Sequence, residues 1–325
     1  MESNQAPVAL VDGRRSEGAG PGLNPQIVEC ADRLAVRPAL EAVLGCPRCH
    51  TRLSARLRCG ACGFHLSARQ GVLVCSPEPR NHAFENYSQD CGLPQYAGLK
   101  LVEHEYYLRF IPESPGAIAV DCGGGDANAS ALWARRNPDS ELVVADMDRF
   151  ALRKALMRNL PNLTPVQTPA LSLPFTNGSI DCVFTTFMVE HMYDWELSRF
   201  YLEARRVLRS GGSLIVQSDS AFFDKFIHPA LRMIKRERRP RTHFLDRWRT
   251  HIRSVHHHNL KTGEAQRQII KDHGFFIQGM EVPLLFSNRV FFAGVYEVLG
   301  GVLPASLLSR FLGTSYTVVA TKLSA

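Results

Sequence analysis

Four cysteines stand in two pairs, Cys46-Pro47-Arg48-Cys49 and Cys59-Gly60-Ala61-Cys62, with nine residues between the pairs. A C-x-x-C turn brings two sulfurs to one corner, and two such turns can surround a Zn²⁺ ion tetrahedrally. Four thiolates would close the site, so the zinc would be structural and not catalytic. Two disulfides or four free thiols are the alternatives. An intracellular setting disfavours disulfides, and so short a segment cannot build an apolar core unaided. Cys30, Cys75, Cys91, Cys122 and Cys182 show no ligand spacing, and His50 and His65 read as exposed bystanders beside the knuckles.

A second constellation is built on carboxylates and glycines. Ala117–Cys122 is a short apolar strand that carries Asp121 near its end, and Gly123-Gly124-Gly125 follows it. Gly123 and Gly125 let the backbone approach a ligand without a Cβ in the way. A dinucleotide fold would want G-x-G-x-x-G, but the last glycine position is Asn128, and Asp121 would repel a pyrophosphate. A carboxylate there suits a ligand with a positive ammonium group. The next strand, Glu141–Asp146, ends in an acid placed to take two ribose hydroxyls. Asp148 then suits the N-cap of a helix over 149–158.

Further motifs follow in order: Leu173-Pro174-Phe175, Ile180-Asp181-Cys182-Val183, Glu190-His191, and Arg206-Val207-Leu208-Arg209-Ser210-Gly211-Gly212. Together with Asp121–Ala127 and Asp146 they resemble the class I S-adenosylmethionine-dependent methyltransferases, in the group that includes the ubiquinone and menaquinone methyltransferases. The resemblance covers roughly residues 100–220 and resumes near the C-terminus. It implies an α/β fold, a Rossmann-like seven-stranded doubly wound sheet, here with a small N-terminal zinc ribbon. It implies S-adenosylmethionine as cofactor, bound by Asp121, Gly123, Gly125, Asp146, Met147, Ala170, Leu171 and Thr186. Methyltransferases of this kind often carry such a ribbon, ending in a turn and short strand like Gly71-Val72-Leu73-Val74. Three departures stand out. Ala127 replaces the third glycine. Asp126 stands where a small polar residue is common, and is expected to cap the helix that follows. Pro169-Ala170 replaces the acid-small pair that holds the adenine amino group, and Pro offers neither an acceptor side chain nor an N–H.

The whole chain of 325 residues has room for one full α/β domain and a small module. Expected divisions are a disordered tail and short helix (1–42), the ribbon (43–80), and the methyltransferase domain (81–325). Within the last lie a basic insertion (220–258) and an apolar one (282–312). Small strands are expected at 53–57 and within 64–74, helices at 99–110 and 262–273, and closing strands at 275–281 and 314–321. No uncharged apolar run approaches a bilayer span, and no basic-then-apolar leader is seen. The expectation is a cytoplasmic protein with peripheral membrane contact. The net charge of +7 permits an anionic partner.

Methyl transfer needs alignment in a dry pocket more than it needs a base. Where the acceptor must lose a proton, His191 and Asp219, at the carboxyl ends of two strands, are the candidate catalytic residues. The basic and apolar insertions suit an acceptor with an anionic head and a greasy tail, such as a lipid-linked small molecule, and contact with an anionic membrane. Two rival readings are an RNA methyltransferase, disfavoured by the lack of aromatic-basic interleaving in the ribbon, and a degenerate, non-catalytic cofactor-binding module.

Overall fold

Runs of β-branched and small apolar residues, each stopped by a turn, make the central strands. The computed structural model describes residues 36–75, 106–221, 259–281 and 315–324. The tail before residue 36, the linker after 75, most of the helix expected over 99–110, and nearly all of both insertions lie outside the described residues. Among the described residues, nine strands form one sheet: β1 Ser67–Arg69, β2 Val72–Val74, β3 Ile118–Cys122, β4 Glu141–Asp146, β5 Leu163–Gln167, β6 Ile180–Thr186, β7 Leu208–Asp219, β8 Phe275–Glu281 and β9 Ser315–Lys322. Their order is β1-β2-β5-β4-β3-β6-β7-β9-β8. The seven strands β3 to β9 are the expected sheet, and β9 runs antiparallel to both β7 and β8.

Helices cover both faces. α1 is the short helix Pro38–Glu41. α2 (Ser130–Arg136) and α3 (Arg149–Leu156) pack Trp133, Leu152 and Ala155 against Leu142, Val144, Phe184 and Ile215. On the other face, α4 (Asp194–Val207) and α5 (Gly263–Asp272) bury Phe200, Tyr201, Val207 and Ile270 against Val120, Val183, Leu214 and Val318. The Asp148 side chain accepts from the amides of Phe150 and Ala151, so α3 starts where a cap residue predicts. Asp126 caps no helix. It accepts from Asn128 N at 3.2 Å and pairs with Arg158 at 3.2 Å. The turn adds Ala127 at φ +56°, and α2 begins only at Ser130. Ala127 thus bears left-handed strain of about 1–2 kcal/mol, offset in part by complete burial of its methyl group, about 0.8 kcal/mol.

The hairpin β1–β2 turns at Gln70 and Gly71, both at positive φ. It then joins the main sheet: Leu73 and Val74 pair parallel with Val166 and Gln167 of β5. The segment expected as a strand at 53–57 is a turn instead, closed by Leu57 N to Ser54 O at 2.7 Å. Single bridges, Gly45 to Arg52 and Arg58 to His65, flank it.

Candidate active site and cysteine centre

The two C-x-x-C turns have one shape. His50 N donates to Cys46 O at 2.8 Å, and Gly63 N to Cys59 O at 3.1 Å. The residue after each turn, His50 or Gly63, lies at positive φ. All four sulfurs lie within 4.8 Å of one another, with separations of 3.4 Å (Cys46–Cys62), 3.4 Å (Cys49–Cys59) and 3.8 Å (Cys49–Cys62). A tetrahedron with Zn–S bonds near 2.3 Å has edges of about 3.8 Å, so the donor set fits zinc. None of these sulfur pairs is at the ~2.05 Å of a disulfide, and the described cysteines are free. His50 is half-buried, not exposed as expected; burial and the neighbouring Arg206 lower its pKa. Cys122 and Cys182 are buried in the sheet.

The ribbon grips the loop after β5. Gly45 N donates to Pro174 O at 2.9 Å, Thr176 N to Val43 O at 2.9 Å, and Ser172 Oγ to Pro47 O at 3.0 Å. Cys75 N donates to Gln167 O at 3.0 Å. From below, Arg206 spends all five guanidinium hydrogens on the same loop and on Glu203. Its bonds run to Leu173 O (3.0 Å), Phe175 O (2.8 Å), Asn177 Oδ1 (2.8 Å) and both Glu203 oxygens (2.7 and 2.8 Å). Glu203 in turn accepts from Leu173 N at 2.6 Å. The L-P-F and R-V-L motifs are therefore two sides of one clamp.

At the centre of the sheet, Asp121 is buried, and among the described residues its Oδ1 has no hydrogen-bond partner. Burial pushes its pKa up to about 7, and the charges of Asp146 and Asp126 push the same way. Asp146 Oδ2 accepts from Gly125 N at 2.9 Å and Oδ1 from Asp148 N at 2.8 Å. Burial raises the Asp146 pKa as well, opposed by those amides. Gly123 and Gly125 sit at φ +72° and +53°. Sequence reasoning passed over Gly124, yet a Cβ there would stand 2.5 Å from Asp121 Oδ2 and 2.8 Å from Val144 Cγ1. Gly124→Ala is expected to destabilise the fold by about 1–3 kcal/mol through overpacking, read as a lower urea midpoint; an unchanged midpoint would contradict this tight curl.

The turn after β5 is closed by Thr168 N to Asp146 O (2.9 Å), Thr168 Oγ1 to Ser172 O (2.7 Å) and Ser172 N to Pro169 O (3.0 Å). Ala170 and Leu171 lie in it, beside β4's acid. Met147 follows Asp146 directly, and Gln167 Nε2 donates to its carbonyl at 3.4 Å. Thr186 ends β6. The structure thus brings Asp121, Gly123, Gly125, Asp146, Met147, Ala170, Leu171 and Thr186 to the carboxyl edge of the parallel strands, where order reverses between β3 and β6.

His191 closes the 3₁₀ turn Val189–His191, and Asp219 ends β7. Next to His191 in the chain is an acid that sequence reasoning did not select as catalytic. Glu190 is wholly buried and accepts from Ser218 Oγ at 3.0 Å. Burial, with the Asp219 charge, pushes its pKa up to about 8.

This strand order, with a glycine turn at its switch point and an acid ending the neighbouring strand, is that of a Rossmann-like doubly wound sheet with its ligand crevice at the switch point. Residues 120–216 match the family described as "Methyltransferase domain", and the chain carries that domain. It is 28% identical over 136 residues to the malonyl-[acyl-carrier protein] O-methyltransferase of Herminiimonas arsenicoxydans, covering 42% of this chain and 47% of that one. It is 30% identical over 123 residues to the ubiquinone/menaquinone biosynthesis C-methyltransferase UbiE of Pasteurella multocida, covering 35% and 45%. The chain thus spans less than half the length of these curated relatives. Among solved structures it superposes on a chain of the complex between the Haloferax volcanii Trm112 methyltransferase activator and a methyltransferase. The TM-score is 0.53 at 13% identity, over 74% of this chain and 98% of that one, a likeness of fold.

Proposed function

We propose that this chain transfers a methyl group from S-adenosylmethionine to a small-molecule acceptor. The observation that carries the reading is the glycine turn tied to Asp146 at the switch point of the sheet. When bound, the cofactor supplies an electrophilic methyl group on a sulfonium. Asp146 keeps lone pairs beyond its two backbone bonds and would accept the ribose hydroxyls; Asp121 would meet the ammonium group. Met147, Ala170 and Leu171 would flank the adenine, and Gly123, Gly125 and Thr186 would line the middle of the site. His191 or Asp219 would take a proton where the acceptor must lose one. The four cysteines would hold about one structural Zn²⁺, and the ribbon (43–80) would act as a brace on the larger domain (81–325).

The relatives' names point to acyl-carrier and quinone-pathway substrates. With the basic (220–258) and apolar (282–312) segments, they support a lipid-linked or otherwise amphipathic acceptor, and peripheral contact with an anionic membrane. No helix of the described residues is long and apolar enough to cross a membrane. Calorimetric titration with S-adenosylmethionine tests the reading. Asp146→Ala is expected to weaken binding on the order of tenfold or more, since bonds to a charged acceptor are worth about 1.5–3 kcal/mol. No heat with the native protein would instead identify a degenerate module.

A further inference from the structure

Strand register places one layer of residues across the whole carboxyl edge. Asp146 pairs with Gln167 on one side. Gly123 follows β3 two residues after Asp121, which pairs with Val144 and with Phe184. Two residues beyond Phe184, Thr186 pairs with Gln217, Gln217 with Thr317, and Thr317 with Glu281. The layer beneath, Phe184, Ile215 and Val319, is apolar and belongs to the core. The switch from apolar to polar therefore falls at the edge where ligands sit.

Within this layer Gln217 and Thr317 are completely buried. Among the described residues, neither Gln217 Oε1, Gln217 Nε2 nor Thr317 Oγ1 has a hydrogen-bond partner. One step further out, Ser315 pairs in register with Asp219, and its hydroxyl is buried and unpartnered too. A buried amide with both ends unmet is costly, and native proteins keep few such groups. Phe187 N donates to Gln217 O at 3.1 Å, and Tyr107 packs edge-on against the Phe187 ring with centroids 6.0 Å apart. Glu281 is already engaged by Tyr106, at 2.7 Å, and by Arg109. Strand spacing puts Gln217 about 10 Å from Gly123, on the side away from Asp146.

We infer that Gln217 and Thr317, with Ser315, form the acceptor subsite, an inference that rests on the methyltransferase reading above. An amide offers a donor and an acceptor side by side, and the hydroxyls offer either. The group that completes them is uncharged and carries both functions, a hydroxyl beside a carbonyl or a carboxamide, on a ring or acyl body that meets Tyr107 and Phe187. A site built to hydrogen-bond such a group rejects analogues that leave its polar atoms unpaired.

The test uses the full chain saturated with S-adenosylhomocysteine and ligand-observed NMR. The probes are 2-hydroxyacetophenone and benzamide, with benzoate and benzylammonium as charged controls. The neutral probes are expected to bind and to lose at least fivefold in affinity in the Gln217→Leu/Thr317→Val variant, the two neutral probes separating hydroxy-carbonyl from carboxamide recognition. The melting temperature of that variant, without probe, is expected to hold or rise, because unmet polar atoms have been removed. A fall of several degrees would show these side chains to be structural and overturn the inference. So would equal probe binding by both proteins, tighter binding of a charged control, or no probe binding at all. If S-adenosylhomocysteine itself fails to bind, the methyltransferase reading falls first and takes this inference with it.

Discussion

Cys59→Ser is expected to empty the cysteine centre and to weaken the cofactor site some distance away. Elemental analysis should drop from about one zinc per chain to near zero, because three thiolates and a hydroxyl make a poor tetrahedral set. The mechanical consequence follows from how the ribbon is built in. It lends β2 to the sheet beside β5 and bonds to the loop at Ser172, Pro174 and Thr176. Leu44, Cys46, Leu53, Cys59 and Leu66 share one core cluster with Phe175 and Val183. A ribbon with so few residues would not hold that geometry without the proposed zinc. If about 4 kcal/mol of packing is lost, the melting temperature falls by roughly 8–16 °C at 2–4 °C per kcal/mol. The turn Thr168–Ser172 loses its outer brace, so cofactor affinity should fall several-fold as well. Cys75→Ala is the control. Cys75 lies beside the quartet, but burial pushes its thiol up to about 12, so its loss should leave zinc content unchanged. Full zinc in Cys59→Ser, or zinc loss with an unmoved melting temperature, would contradict this account.

Much of the site was legible because its signals are local. β3, β4 and β6 are apolar runs stopped by turns, and Asp148 caps the helix after it within three residues. What escaped depends on contacts between distant segments. β2 pairs with β5 across some ninety residues, and no periodicity in Gly71–Val74 encodes that partner. Gly124 is required by the way the turn folds back over Asp121, a curl that glycine content alone does not specify. Arg206 read as part of a family motif, while its physical task, three bonds to a loop about thirty residues earlier and two to Glu203, became visible only in space. Asp126 misled for the converse reason. An acid after a glycine turn has the chemistry of a cap, but Ala127 at positive φ spends extra residues before α2 starts. Gln217 belongs to none of the sequence motifs, and only register shows it aligned with Thr317 and buried.

Cofactor affinity is expected to rise with pH between 5 and 7.5, on the order of 50-fold. The reason is Asp121. Its carboxyl is held near pKa 7, mainly by burial and then by Asp146 and Asp126. At pH 5 nearly every molecule holds that proton, and a protonated acid offers an ammonium group no charge. Binding must then expel the proton, which costs a factor of ten for each pH unit below the pKa. Near pH 7.5 most of the carboxylate is already formed and the dependence levels off. Asp146, raised in the same direction, can steepen the slope but not reverse it. The effect on stability has the opposite sign. An acid whose folded pKa lies above its unfolded value near 3.9 binds its proton more tightly when folded. Its contribution is complete below the unfolded pKa and is lost as pH rises through about 7. The cofactor-free protein should therefore lose stability from pH 5 to 8, and the cofactor should restore it. Asp121→Asn separates the two effects. It should bind the cofactor at the weak, low-pH level of the native protein with a flatter pH profile, yet melt higher than the native protein at pH 8. Calorimetric titration and thermal melts at four pH values across this range decide the matter, and an affinity in the native protein that is flat from pH 5 to 7.5 would remove Asp121 from the ammonium site.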